Sequence, residues 1–409
     1  MKIGIIALSL NKHAVPGFYN SQELGMGKAL AAAGHTVTVY KLFSRALLPV
    51  SKTEQVRDRL TFTQLPARSL GINGFFDKKL LDASIDVLIC FSDTQLYTQS
   101  VAKWCLLNSV RFYPYVGVLR SASTNSLKRK LMDMLTMRLI RFYRRQTAVW
   151  GKTPAVCAEL SSLGITRSRL VPIGLDQELL RGNYADADPA ALREAHGFSA
   201  DTQILLFIGR LVAEKEPLTM IALFAKLYER YPKLRLCMIG TGELETDVRS
   251  AVAAAGISNA VCLIPRVPNK EIWEFYRMSR YYVNLNRHEI YGMAILEAMY
   301  YECPVIAFHA PGPDFLLDNG RCGYLCGSDE EMLSALSDAV LADFGSPVSE
   351  SGISTVCDSS SSENGISTDS GSSEAESAHT IADAARARVL SSFLWERCLP
   401  ELGDINVSQ

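Results

Sequence analysis

The sequence predicts an α/β protein made of two parallel-sheet domains that face a cleft. Three observations carry this. Short β-branched runs alternate with helical patterns; the alternation stops near residue 174 and restarts at 204; and a polar stretch punctuated by Pro and Gly separates the two halves. A chain of 409 residues, 48% hydrophobic and 21% charged, is long enough to bury more than one core.

In the first half, KIGIIAL is followed by a helical pattern over 21–33, by TVTVY after Gly34 and His35, and by DVLIC ending at Cys90. Runs this apolar suit parallel strands covered by helices on both faces. The second half repeats the rhythm with ILLFIGR at 204–210, a helix near 217–231, LRLCMIG at 234–240, VCLI at 261–264, YYVNLN at 281–286 and PVIAF at 304–308. Two Rossmann-like domains follow, at 1–175 and 176–344, with the linker near 175–200. Pro172, Gly174, Gly182 and Pro189 mark that linker.

Residues 345–380 are rich in Ser, Glu and Gly, and SESGIST at 349–355 recurs as SENGIST at 362–368, so this segment is expected to be a disordered insertion. Helical patterns resume on both sides, and the final segment, 381–409, is expected to form a helix.

Composition excludes several classes. Lys plus Arg number 42 against 43 Asp plus Glu, so no global basic excess points to nucleic acid. The apolar start, MKIGIIALSL, is interrupted too early for a signal peptide, and no run approaches a membrane span, so a cytoplasmic location is expected. Ten cysteines are scattered singly apart from Cys322 and Cys326, which suits reduced thiols, and no metal is expected. Asp186-Ala187-Asp188 mimics a metal-binding DxD motif but sits in an acidic linker. Gly25-Met26-Gly27 lies inside a helical pattern and lacks the third glycine of a dinucleotide fingerprint, which argues against NAD.

The strongest chemical signal is HEIYGMAILEAM at 288–299. Glu289 and Glu297 lie eight positions apart across a strand-to-helix turn, so both face a cleft at the C-terminal edge of the sheet, where open α/β folds bind ligands. Two acceptor-only carboxylates there suit sugar hydroxyls. Tyr291, Gly292 and Met293 open the helix, whose free amides and positive dipole end suit a phosphate. A second signal is GRLVAEKEP at 209–217, where Arg210 leaves a strand and Lys215 follows five residues later. Two fixed cations stabilise a departing diphosphate without a metal ion.

These stretches resemble the retaining glycosyltransferases of family 4, which have the GT-B fold. The resemblance extends to IGTGELE at 239–245, PVIAF, VPIGLD at 171–176 and FLWE at 393–396. It implies a metal-independent transfer with retention, from a nucleotide diphosphate sugar, most commonly UDP-linked, to a glycan or lipid-linked acceptor in polysaccharide or glycoconjugate synthesis. It assigns Glu297 to the donor ribose, Glu289 to the transferred sugar, and Arg210 with Lys215 to the diphosphate, and it implies a last helix that returns toward the first domain.

The sequence departs from the family in two places. Gly17 matches the second glycine of the family's phosphate-approaching loop, but Pro16 replaces the first and removes one N–H. No histidine falls between 36 and 195, where many members place one on the acceptor side; the loop there reads CFSDTQLY, and Asp93 either orients an acceptor hydroxyl or caps the following helix. These departures keep two alternatives open: a non-catalytic GT-B partner subunit, and a sugar-nucleotide epimerase or hydrolase.

Over 128–145, seven cations (Lys128, Arg129, Lys130, Arg138, Arg141, Arg144, Arg145) accompany one acid, Asp133. On a helical wheel Leu131, Met132, Leu135, Leu139 and Phe142 gather on one side. Such a helix either packs on the sheet or also rests on an anionic membrane, which would make the protein peripheral on the inner face.

Overall fold

Hydrogen bonding between the apolar runs produces two separate sheets. The computed structural model describes residues 1–10, 21–71, 73–93, 95–119, 126–145, 148–344 and 370–399; for 126–129, 131, 341–344 and 370–379 only the backbone is described.

The first domain contains β1 (Lys2–Ala7), α1 (Gln22–Ala32), β2 (Thr36–Ser44), β3 (Lys52–Arg57), β4 (Leu60–Leu70), β5 (Asn73–Phe76), β6 (Val87–Phe91), α2 (Thr98–Leu107), β7 (Arg111–Val116), α3 (Ser126–Tyr143), β8 (Val149–Gly151), α4 (Pro154–Ser162) and β9 (Ser168–Leu170). Its strands run β3-β4-β2-β1-β6-β7-β8-β9, with β5 also on β4. From β4 to β9 all pairs are parallel, whereas β3 and β5 are antiparallel to β4. The apolar runs explain the centre: β6 is buried along its whole length and β1 everywhere but Lys2. β3, β4 and β5 carry no such run. In β4 a half-polar pattern buries Leu60, Thr63, Leu65 and Ala67, and β3 is a charged edge strand, so their pairing follows from the register of β2.

The second domain contains α5 (Pro189–Ala195), β10 (Gln203–Ile208), α6 (Pro217–Tyr228), β11 (Leu234–Ile239), α7 (Glu245–Ala254), β12 (Val261–Ile264), α8 (Ile272–Met278), β13 (Tyr281–Asn284), α9 (Met293–Tyr300), β14 (Val305–Phe308), α10 (Pro311–Leu316), β15 (Tyr324–Cys326), α11 (Asp329–Phe344), α12 (Ser370–Ser392) and α13 (Trp395–Cys398). Its all-parallel sheet runs β12-β11-β10-β13-β14-β15. Both strand orders reverse beside the first strand of the domain, and a ligand crevice forms at the carboxyl edge of such a switch point.

α12 begins at Ser370, inside the stretch expected to be disordered, and Glu374, Ala375, Glu376 and Ala378 favour helix there. The repeat at 349–368 lies outside the described residues. Arg388 of α12 donates to the carbonyls of Phe315 and Leu316 at 2.9 and 3.0 Å, which holds the helix on the second domain. The chain then turns onto the first domain. The Leu175 N–H donates to Phe393 O at 2.7 Å, and the Trp395 N–H to Leu175 O at 3.2 Å. Gly25 and Gly174 make that approach possible, because a Cβ at either would strike Trp395. Lys28 of α1 adds ion pairs to Asp176 at 2.7 Å and Glu178 at 3.1 Å in the linker.

Among the described residues no helix is long and apolar enough to cross a membrane. The described cysteines are free thiols, and no described group of three or more His, Cys, Asp or Glu side chains is arranged to hold a metal ion. Asp188 of the DxD-like triplet caps α5, accepting from the Ala190 N–H at 3.0 Å. The Gly25-Met26-Gly27 stretch lies within α1.

Candidate active site

β10 delivers Gly209 and Arg210 to the carboxyl edge of the second sheet. A one-turn helix at Ala213–Lys215 follows, and Glu216 ends it at φ 51°, in the left-handed region. Pro217 disfavours continuing the right-handed helix through Glu216, since the residue before proline is disfavoured in that region. Glu216 then pairs with Arg287 at 3.3 Å, and the Arg287 guanidinium lies 3.6 Å from the centre of the Phe308 ring and also pairs with Asp329. The loop after β10 is thereby fastened to the loop after β13.

Across that junction Lys215 Nζ donates to Glu289 Oε2 at 2.5 Å. Asn286 Nδ2 donates to the same oxygen at 3.3 Å. Asn286 is itself positioned, its N–H donating to Asn284 Oδ1 at 3.1 Å and its Oδ1 accepting the His288 N–H at 3.0 Å. These Asx bonds turn the chain sharply out of the strand and aim Glu289. Gly292, at φ 100°, then starts α9 without a side-chain cap; the Ile295 N–H turns back onto Gly292 O at 3.0 Å, so the donor capacity at this end belongs to the Met293 and Ala294 amides. Glu297 follows inside α9, and its Oε2 accepts from Tyr276 Oη at 2.9 Å. Burial and the nearby Glu297 charge push the Tyr276 phenol well above its ordinary value, so it remains a donor.

Lys215, Glu289, Tyr291, Gly292, Met293 and Glu297 thus sit on two fastened loops and the start of one helix. Arg210 is on the same loop as Lys215, but its guanidinium is exposed and paired with Glu214. The Lys215 stem folds back toward Gly209, beside Arg210. The Tyr291 side chain is buried, and its hydroxyl donates to Ile173 O of the first domain at 2.5 Å. Ile290 packs on the cluster that contains Val156 and Leu160 of α4. The turn carrying Glu289 therefore touches both domains.

On the first domain, Asp93 follows β6. Its Oδ1 accepts the N–H groups of Gly117 and Val118 at 2.5 and 3.2 Å, and its Oδ2 faces Lys152 Nζ at 3.5 Å. α2 begins at Tyr97 with no side-chain cap, so Asp93 does not cap it and instead ties the loops after β6, β7 and β8 together. Lys152 is buried over the rings of Phe91 and Tyr115, 5.7 and 5.4 Å from their centres. Gly17 and Pro16 lie outside the described residues. Sequence reasoning missed Asn286, Tyr276 and Lys152. Asn286 and its partner Asn284 carried a local signal, the NLN spacing at the strand end, whereas Tyr276 and Lys152 meet their carboxylates only through the tertiary fold.

The site also has relatives. Residues 188–347 match the sequence model of the family described as Glycosyl transferases group 1. A D-inositol 3-phosphate glycosyltransferase from Acidothermus cellulolyticus is 28% identical over 39% of this chain and 37% of its own length. The chain thus spans less than half of that curated relative. Two solved structures share the whole architecture: sucrose-phosphate synthase from Thermosynechococcus elongatus, with a TM-score of 0.75 at 17% identity over 99% of this chain and 98% of that one, and Anabaena HepE in complex with UDP-glucose, with a TM-score of 0.68 at 15% identity over 99% and 98%. The fold is GT-B.

Proposed function

We propose that the protein is a glycosyltransferase of family 4 type that moves a sugar from a nucleotide diphosphate sugar, UDP-linked by preference, to a glycan or lipid-linked acceptor, with retention and without a metal ion. The observation that carries this reading is the convergence of Lys215 and Glu289 beside the uncapped start of α9. The family match over 188–347 covers this region, and the structural likeness to HepE, which was solved with UDP-glucose, supports the choice of donor.

In this reading the α9 amides, Lys215 and Arg210 hold the diphosphate, and the two cations stabilise the negative charge that grows on the departing nucleotide. Entry of the diphosphate draws Lys215 off Glu289, leaving that carboxylate for the hydroxyls of the transferred sugar. Glu297, oriented by Tyr276, takes the ribose hydroxyls. Gly17 approaches the phosphates from the first domain. Asp93 orients the acceptor through the loops it ties together, and closure of the domains excludes water, the competing acceptor.

The protein sits on the inner face of a membrane through α3. Lys130, Arg138, Arg141 and Arg145 are exposed there beside Met134 and Met137, and the adjacent α2 exposes Leu106 and Leu107. Cations flanking exposed apolar groups suit an anionic bilayer surface. Arg144 has a different task, donating to Leu163 O at 2.7 Å at the end of α4, and the side chains of Lys128 and Arg129 lie outside the described residues. Loss of binding to anionic liposomes on replacing Arg138, Arg141 and Arg145 by Gln is expected; unchanged binding excludes this surface.

The principal test is a thermal-shift titration with UDP, GDP, ADP and their sugar conjugates in the presence of a chelator. A ligand that binds only the folded state raises the melting temperature according to its affinity. A shift with one nucleotide that is lost in Glu297→Ala is expected. No shift with any of them moves the reading to a non-catalytic partner subunit, and release of free or epimerised sugar without a glycoside moves it to a hydrolase or epimerase.

A further inference from the structure

A cavity of about 430 Å³ opens on the first domain, lined among others by Arg45, Arg68, Pro66 and Phe75. This volume lies within the ~300–1,000 Å³ usual for small-molecule sites. Its walls are the segment after β2, the C-terminal part of β4, and β5. Because β2 and β4 run parallel to β6, the cavity lies at the same carboxyl edge of the sheet as Asp93. The two places are also joined by contact. The Tyr97 ring, at the start of α2, packs edge-on against Phe75 and Phe76 with centres 5.3 and 5.6 Å away, and its hydroxyl donates to Phe76 O at 2.8 Å. Asn73 of β5 accepts the Leu96 N–H at 2.9 Å, which fixes the hairpin to the Asp93 loop.

Two guanidiniums, Arg45 and Arg68, and one carboxylate, Asp77, line the cavity. Arg45 and Arg68 are both exposed, and among the described residues neither guanidinium has a hydrogen-bond or ion-pair partner. Asp77, at the rim, spends its Oδ1 on the Lys79 N–H at 3.0 Å. The Arg45 backbone is held by its N–H bond to Ala67 O at 2.9 Å, so this guanidinium is carried by a fixed main chain. Guanidinium forks match the planar oxygens of a carboxylate or phosphate, and the half-buried Phe75 ring beside them offers an apolar face.

We propose that this cavity binds an anionic sugar unit of the acceptor, a uronate or a phosphorylated sugar, with Arg45 and Arg68 on its charge and Phe75 and Pro66 against its ring. The proposal rests on the transferase reading and specifies its acceptor class: a chain whose reacting end lies by Asp93 and whose charged unit lies beyond Tyr97.

The test uses the full chain with the cleft saturated by UDP, titrated calorimetrically with glucuronate, glucose 6-phosphate and glucose. At least one anion is expected to bind at least tenfold more tightly than glucose, and the preferred anion identifies the source of the charge. Arg45→Gln and Arg68→Gln each weaken that anion about tenfold, and Arg45→Lys with Arg68→Lys recovers part of the loss. Anion affinity unchanged in the double Gln variant, or equal to that of glucose in the parent, overturns the proposal. Nucleotide titrated into each protein separates the two levels of inference: UDP binding retained alongside either failure removes the cavity proposal alone, and absence of binding of UDP, GDP and ADP alike from the parent removes the transferase reading with it.

Discussion

Lys215 Nζ and Glu289 Oε2 lie 2.5 Å apart, and this ion pair joins the loop after β10 to the turn before α9. Both side chains are largely shielded, at 22% and 14% exposure, so the pair competes with any anion that needs the lysine. Glu289→Gln removes the competitor and is expected to tighten UDP by about tenfold while lowering turnover, because the sugar loses its carboxylate. Lys215→Ala is expected to weaken UDP and to lower kcat by roughly 10²–10³, the loss typical of one donor to a developing oxyanion. Calorimetry with UDP and initial rates with the sugar nucleotide read both. Identical changes in UDP affinity for the two variants would contradict the competition.

The Tyr276 hydroxyl holds Glu297 from beneath α9 at 2.9 Å. Tyr276→Phe keeps the ring in the core and removes only this bond, so the carboxylate loses one of the contacts that orient it. The donor KM is expected to rise about three- to tenfold with kcat nearly unchanged, since the ribose contact is the same in ground and transition states. A fall in kcat at constant KM would place Tyr276 elsewhere in the mechanism.

The parallel core was legible because its strands are apolar on both faces: β1, β6, β10 and β11 coincide with the runs that pattern alone picks out. β4 was not, because a strand buried on one face reads LTFTQLPARSL, and its place is set by pairing with β2. The same distinction divides the site. Glu289, Gly292 and Glu297 share one short segment whose spacing carries the geometry. The Tyr276 support of Glu297, and the tie from Asp93 to Lys152, join residues 21 and 59 positions apart and exist only once the helices pack. The work of Asp93 on the amides of Gly117 and Val118 was equally hidden, since neither role open to it from sequence, orienting an acceptor hydroxyl or capping the next helix, involves those amides.

Acid should loosen the junction between the linker and the first domain. The hydrogen bond from Arg57, with that from Lys28, holds the Glu178 carboxyl down at about 2, below its ordinary 4.5. A depressed folded-state value means that the stabilisation is complete above about 4.5 and is lost as pH falls toward about 2. Glu178 is 53% exposed, so solvent screening reduces the contribution to about 1 kcal/mol. Buried Glu23 works in the same direction: burial pushes its carboxyl up, and the charge and hydrogen bond of Lys41 override this. Denaturant midpoints at pH 6, 4 and 3 should show Glu178→Gln less stable than the parent at pH 6, with the gap narrowing at pH 4 and further at pH 3. A constant gap would show that the pair contributes nothing to the acid response.

Asp93 offers a separation of structure from chemistry. Asp93→Ala leaves the Gly117 and Val118 amides and the Lys152 ammonium without their acceptor, and a loss of about 1–3 kcal/mol of stability is expected. Asp93→Asn keeps an oxygen for the amides and discards only the charge, so its stability cost should be smaller than that of the Ala variant. If Asp93 acts on the acceptor through the loops it ties together, Asn should retain most of kcat, while Ala should raise the acceptor KM and leave UDP affinity intact. If the carboxylate itself takes part in proton transfer from the acceptor hydroxyl, Asn should lose kcat by roughly 10²–10⁴ at unchanged stability, as removal of a general base does. Rates and denaturant midpoints measured on the same two variants decide between them, because only the second case separates activity from folding.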